Sequence, residues 1–393
     1  MPMCAVIRSL AIFIAISLHT DIARADPPAV AIHESTDYIF GAYQGALPSP
    51  PSADGNPRRA LIVEWPGRDY RFVFAHEGSY CPWFELADGS GACFQFFEGN
   101  EGWAELFNQF GRQEKNSFVE IVEQGPQRVH VRWTYFGVNQ TAGERAYQAT
   151  EDFYCLANGL VLRRQSYKSL LPDRHEGYAR EPIELIGMCP VGKLWKDVLQ
   201  LGPDAGEHHA LVALDPFSSN RYDVYWKPIE GKLWESTPRH AGCPWQAIDD
   251  APAVLLAIPM QAGAPFCAFA AASGYPVQTT RIKEHSHADT GGVGWISSSW
   301  DHWPIGWLNS QAHVVDSASL AKYPNHFSPA GMDLFAMSNE EAAQGEYWSL
   351  LGVAGDDVEA VRQLTRTWLE LDAPRLKDPT EVEQLSTKLA ATR

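Results

Sequence analysis

Two stretches of the chain constrain its fold more than any others. In SFVEIVEQGPQRVHVRWTYF, from Ser117 to Phe136, an alternating run meets a Gly-Pro breaker and then resumes its alternation. EDFYCLANGLVLRRQSY, from Glu151 to Tyr167, does the same around Asn158 and Gly159. A period of two on both sides of a turn signal is the pattern of a β-hairpin, and Asn-Gly is the strongest short hairpin signal. Hairpins in succession build antiparallel sheets. RALIVEWPG, YRFVFAHEG, PIELIGM, YDVYWKPI and AVLLAIPM add further short runs rich in β-branched and aromatic residues, separated by Gly, Pro, Asn and Asp. The expected fold is mostly β: a large antiparallel β-sandwich or supersandwich. A β-propeller is the alternative, disfavoured because no repeat of roughly 40–50 residues is visible. Helical periodicity is clear only in DDVEAVRQLTRTWLELD, where Val358, Val361, Leu364, Trp368 and Leu371 share one face and Asp356 or Asp357 can cap the start.

Residues 1–25 read as a secretory signal, with Arg8 before an apolar run from Ser9 to Leu18 and small residues at Ala23 and Ala25. The run is too short to span a bilayer. A periplasmic or extracellular protein without membrane insertion is expected. Residues 26–59 are rich in Pro, Ser and Gly and read as loosely ordered, 60–375 as a single sandwich domain with its terminal helix, and 376–393 as a tail. Past the signal lie Cys81, Cys93, Cys155, Cys189, Cys243 and Cys267, an even number that in an exported chain points to disulfides. Most are expected to be paired. Cys81 and Cys93 flank a DGSG turn and are the favoured pair. A net charge of −17 argues against nucleic acid and anionic membranes as partners.

EWPGRDYRFVFAHEGSYCPWF, SFVEIVEQGPQRVHVRWTYFGV, EDFYCLANGLVLRRQSY, WDHWPIG, PNHFS and VRQLTRTWLELDAP occur in this order. Together they resemble a family of secreted proteins from bacteria that degrade complex polysaccharides, over roughly residues 60 to 375. DHWP and NHFS are the most specific parts. The resemblance implies an association with glycan breakdown and a large β-sandwich of the galactose-mutarotase-like supersandwich kind. It brings no catalytic residues with it.

The chemistry is read from the residues themselves. Fourteen tryptophans and fourteen tyrosines suit a sugar-binding protein, because pyranose C–H faces stack on flat rings while hydroxyls need polar neighbours. Three stretches interleave the two: His76 to Glu85, Cys93 to Asn116, and WISSSWDHWPIGWLN from Trp295 to Asn309. They supply the candidate substrate-binding residues Trp300, Trp303, Asp301, Trp83, Trp103 and His76. Packing in the core is the competing role for each aromatic. Glu98, Glu101 and Glu105 beside Trp103 permit a paired-carboxylate glycosidase, although exposed loop acids are the commoner explanation. Breaking a uronic-acid linkage by β-elimination needs a base, a group that stabilises the enolate and an acid. His302, Tyr80, Arg112 and His326 are the candidate catalytic residues. His285, His287 and Asp289 form a weak metal-like spacing better read as a polar loop. No zinc, phosphate-loop, dinucleotide or nucleophile-elbow motif is present. No cofactor is expected, and a structural Ca²⁺ is compatible with the sequence.

The expected function is a polysaccharide-active enzyme, a lyase ahead of a hydrolase, with oligo- or polysaccharide as partner. A non-catalytic glycan-binding protein is the alternative, and a structural envelope protein the third reading. As a proton-transfer residue, His302 predicts that His302→Ala lowers turnover by about 10²–10⁴-fold with little effect on melting temperature. A folded variant with near-normal turnover removes it from the mechanism.

Overall fold

The computed structural model describes residues 30–38, 58–75, 82–94, 98–99, 104–105, 116–139, 144–170, 179–190, 192–230, 236–270, 278–282, 325–335, 344–355, 357–370 and 384. They form two large antiparallel sheets. Sheet A contains β1 (Ala31–Tyr38), β2 (Arg58–Glu64), β3 (Tyr70–Ala75), β4 (Trp83–Leu86), β5 (Gly91–Phe94), β6 (Glu98–Gly99), β12 (Ala179–Cys189), β18 (Gln278–Ile282) and β19 (Asn325–Phe335). Its order is β1-β2-β3-β4-β5-β12-β19-β18, with β6 also pairing with β12. Sheet B contains β7 (Ala104–Glu105), β8 (Ser117–Gln124), β9 (Arg128–Asn139), β10 (Arg145–Leu156), β11 (Val161–Ser169), β13 (His208–Leu214), β14 (Arg221–Pro228), β15 (Ser236–Gly242), β16 (Ala253–Ala257), β17 (Ala264–Ala270) and β20 (Gln344–Ala354). Its order is β15-β14-β13-β16-β17-β20-β11-β10-β9-β7, with β8 also on β9. The expected hairpins form as β8–β9 and β10–β11. Sheets of nine and eleven strands are not propeller blades, which are four-stranded, so the sandwich-like reading stands and the propeller is set aside.

The main core lies where the sheets face each other. Phe72, Phe74, Phe84 and Phe94 of sheet A cluster there with Phe153 of sheet B, at 5.1 Å between the Phe74 and Phe153 rings. The middle of sheet B is buried on both faces, so β16 and β17 lack polar alternation and read as continuous apolar runs. Two short helices, α1 (Trp195–Val198) and α2 (Trp245–Asp249), lie in connections of sheet B. The expected long helix is α3 (Ala360–Glu370), and it covers the outer face of sheet B. Its stripe of Val361, Leu364 and Trp368, with Val358 before it, packs on Leu162, Leu255, Phe266 and Leu350. Burying a side chain the size of Val361 or Leu364 contributes about 1.5–3 kcal/mol. The Asp357 carboxylate accepts the Glu359 N–H at 2.9 Å at the helix start. Among the described residues no helix is long and apolar enough to cross a membrane.

Two expectations are corrected. Residues 31–38, expected to be loosely ordered, form β1 and pair with β2. Only Ile32 and Tyr38 of this edge strand are buried, so its sequence looks like a polar loop. Cys155, Cys189, Cys243 and Cys267 are free thiols, so most of the six cysteines that follow residue 25 are not paired. Cys155, Val161, Leu351 and Cys267 lie in one row across β10, β11, β20 and β17. Three strand spacings separate the two thiols by about 14 Å, twice the reach of about 7 Å that a disulfide tolerates. Cys81, of the favoured Cys81–Cys93 pair, lies outside the described residues.

Alkylation of unreduced, denatured protein should therefore label all four of these cysteines. In native protein Cys155, Cys189 and Cys267 should resist, because burial hides them and raises each thiol well above its usual pKa. A mass-mapped disulfide joining any two of the four overturns the assignment.

Candidate functional site

The inner face of sheet B changes character between β9 and β20. Alternation sends every second residue of each strand toward sheet A, and register aligns them in rows. One row reads Trp133, Glu151, Gln165, Tyr347; a second reads Val131, Phe153, Arg163, Ser349, Phe269; a third reads Tyr135, Ala149, Tyr167, Gly345. Gly137 opposes Tyr147 at the end of the patch, where a Cβ would stand 2.0 Å from the Tyr147 ring. The absence of a side chain there is what admits that ring. Ala149 is small enough to let Tyr135 reach along the face toward Glu151.

Glu151 is the centre. The Tyr135 hydroxyl donates to Oε1 at 2.7 Å and the Gln165 amide donates to the same oxygen at 3.1 Å. Arg163 donates to Oε2 through Nε and Nη2, both at 2.7 Å. Glu151 and Arg163 are each 0% exposed. The Arg163 guanidinium lies 5.6 Å from the Phe153 ring centre, and the Trp133 and Tyr135 rings are 4.4 Å apart. Burial, reinforced by the Glu151 charge, pushes the Tyr135 phenol well above its usual pKa and keeps it a proton donor. Gln165 Oε1 and Ser349 Oγ are buried and have no hydrogen-bond partner among the described residues. Such atoms cost about 1–3 kcal/mol each when left unsatisfied. A buried ion pair is also weak support for stability, since apolar replacements of similar volume are often neutral or better. The patch therefore costs more than packing alone would justify.

The outer face of sheet B carries two other clusters, alike in design. His130 Nε2 lies 2.7 Å from Asp152 Oδ1, Arg132 donates to the same oxygen at 2.8 Å, and the His130 ring stacks on Tyr154 at 4.3 Å. His209 Nε2 lies 2.8 Å from Asp223 Oδ1, Arg221 donates to both carboxylate oxygens, and the His209 ring lies 4.6 Å from that of Tyr225. In each, an Asp-x-Tyr strand meets a cross-strand histidine. These carboxylates are saturated by their partners, and the clusters tie strands together.

Of the expected site residues, Trp83 and His326 fall on described strands. Trp83 is 1% exposed and its indole donates to the Tyr38 hydroxyl at 3.0 Å, which in turn donates to Glu85 at 3.1 Å. It alternates with Phe84, which faces the inter-sheet core, so Trp83 points to the other face of sheet A, away from Glu151. His326 lies on β19 in register with Met188. His76, Tyr80, Trp103, Arg112, Trp300, Asp301, His302 and Trp303 lie outside the described residues. The Glu151 network was missed by sequence reasoning, yet it left a signal. In Ala149, Glu151, Phe153, Cys155 and again in Val161, Arg163, Gln165, Tyr167, polar residues occupy the phase that should be apolar. Among the described residues no group of three His, Cys, Asp or Glu side chains is placed to hold a metal.

Burial pushes the Asp152 and Asp223 carboxyls up, but the hydrogen bonds from His130 and Arg132, and from His209 and Arg221, outweigh it and hold both below the usual range. Depressed carboxyls stabilise the fold above the unfolded value of about 3.9, and lose that contribution as pH falls through the folded value. Asp152→Asn should therefore lower the melting temperature near neutrality, with the deficit narrowing as pH is taken from about 5 to about 3. A deficit that stays constant or widens over that window contradicts the assignment. No protein-family model matches this chain, and no curated protein matches it.

Proposed function

We propose that the chain is a secreted polysaccharide-active enzyme, periplasmic or extracellular, that binds sugar on the inner face of sheet B and cleaves it by β-elimination, with hydrolysis as the alternative chemistry. One observation carries the reading. Gln165 Oε1 and Ser349 Oγ are buried polar atoms without partners among the described residues, beside a fixed guanidinium and a protonated phenol, amid Trp133, Tyr135, Tyr167 and Tyr347. Sugar hydroxyls donate and accept in that manner, and their C–H faces suit the rings. These side chains carry almost no exposed surface, so the reading requires the sandwich to open at this end before sugar reaches them.

In an elimination, a base removes the C5 proton of a uronate, the electron pair forms the C4–C5 double bond, and the C4–O bond breaks. Arg163 lies against the uronate carboxylate and offsets the charge that builds on it. Tyr135 turns its hydroxyl from Glu151 to the departing oxygen and gives its proton there, and the proton that the base took from C5 then restores the phenol. The base and a second cation are expected from His302, Tyr80, His326 and Arg112, whose side chains lie outside the described residues. One observation favours the non-catalytic glycan-binding alternative. Glu151 accepts four hydrogen bonds, so it positions its neighbours and does not itself move a proton.

The test is a panel of neutral and uronic-acid polysaccharides, read by the ultraviolet absorbance of unsaturated uronate and by new reducing ends. Both signals mark a lyase, and reducing ends alone a hydrolase. Tyr135→Phe, which removes only the hydroxyl, should lower turnover by about 10²–10⁴-fold. Gln165→Ala and Ser349→Ala should each weaken saturation by roughly three- to tenfold, the worth of one hydrogen bond. A folded Tyr135→Phe protein with full turnover overturns the role given to the phenol. Retention on glycan without either product signal leaves the binding alternative.

A further inference from the structure

The helix α3 meets sheet B through two unlike sets of contacts. One is a polar latch on the turn that joins β13 to β14, residues 215–220. Arg362 Nη1 donates to the carbonyl oxygens of Asp215 and Ser218 and lies 3.5 Å from that of Asn220, which also accepts from Nη2 at 3.4 Å. Arg366 Nε donates to the Pro216 carbonyl at 3.1 Å, and its guanidinium lies 5.7 Å from the Phe217 ring centre. The turn is shaped by its own side chains. The Asp215 carboxylate accepts the Phe217 N–H at 2.9 Å, and Ser218 Oγ accepts the Asn220 N–H at 3.0 Å. Glu359 completes the latch. Its carboxylate pairs with Arg362 and lies 3.7 Å from Arg221 Nη1 on β14.

The other set is the apolar stripe, and it carries two misfits. Thr365 and Trp368 lie on the buried face of α3 with Val361 and Leu364. Both are 0% exposed, and Thr365 Oγ1 and Trp368 Nε1 have no hydrogen-bond partner among the described residues. Water satisfies both atoms once the helix leaves the sheet, so they oppose docking while the stripe favours it.

We infer that α3 is a strap that comes off sheet B as a unit while the strands stay paired, and that the latch of Arg362 and Arg366 sets how often it does so. An element held by such a compromise opens at a lower free energy than the whole fold. The ladder beneath needs nothing from the helix, because β11, β20 and β17 pair through their own backbones. Opening uncovers Leu162, Leu255, Phe266 and Leu350, one apolar side chain from each of β11, β16, β17 and β20. The strap thus decides when this part of the outer face is covered and when it is bare. The inference is independent of the glycan reading.

The experiment is native-state hydrogen exchange on the full chain, read by mass spectrometry. Amides between Arg362 and Trp368 should exchange at least about tenfold faster than those in the middle of β10 and β11. Arg362→Met, which keeps the length and removes the charge, should speed exchange in α3 by about ten- to a hundredfold and leave the strands at the parent rate. Thr365→Val removes one misfit and keeps the shape, so it should slow exchange in α3 by about five- to tenfold. It also keeps the test valid where Arg362→Met does not fold. Exchange of α3 in the parent at the rate of β10 and β11 overturns the strap. A folded Arg362→Met protein with parent-like exchange in α3, or faster exchange in Thr365→Val, overturns the balance proposed for it.

Discussion

Glu151 is the point on which the middle of sheet B depends. Its carboxylate is out of water and takes hydrogen bonds from Tyr135 on β9 and from Arg163 and Gln165 on β11, while it stands itself on β10. A slip of one residue in any of the three strands turns its side chains to the other face. Such a slip leaves a desolvated charge without partners, a cost of several kcal/mol. The pairing of three strands is thus specified by one buried group as well as by apolar pattern. The same group orients the phenol and guanidinium proposed to meet substrate, so the determinant of register and the determinant of the site are one feature.

The opposite face of the same strands uses another device. Arg132, Asp152 and Arg164 follow one another across β9, β10 and β11, and Arg164 pairs onward to Glu346 on β20. Opposite charges across neighbouring strands support pairing, whereas like charges oppose it. Where the charges end, Tyr154 and Trp348 stack at 6.2 Å, within the apolar cluster under α3. Sheet B therefore passes from a charged outer surface at β9 to a helix-covered one at β17 without an abrupt boundary.

The hairpins were legible because their strands alternate cleanly and their turns carry glycine, and the terminal helix because its apolar stripe recurs at helical spacing. The strand β1 was not, since two buried residues in an edge strand leave little pattern. The disulfide framework failed for a different reason. Cysteine count and compartment say nothing about position, and four of these thiols lie on strands or corners that the sheets hold apart. The Glu151 cluster was not legible: its aromatics, carboxylate and arginine come from the plain hairpin strands β9, β10 and β11. Unusual composition drew attention to Trp-rich stretches, whereas polar residues in a buried phase carry their meaning only when neighbouring strands are aligned.

The place of β20 carries a consequence for how the chain reaches this fold. It sits between β11 and β17, and β19 sits between β12 and β18, so late strands close gaps left by much earlier ones. Arg164 and Glu346 are 182 positions apart in the chain yet form an ion pair. Contacts of such long range require the loop entropy to be lost before they return any stability, which slows folding. Until β20 arrives, β11 and β17 are exposed edges in the most apolar part of the sheet, where a second chain can pair in its place. The order of synthesis therefore leaves a window in which the growing chain depends on protection from its own kind.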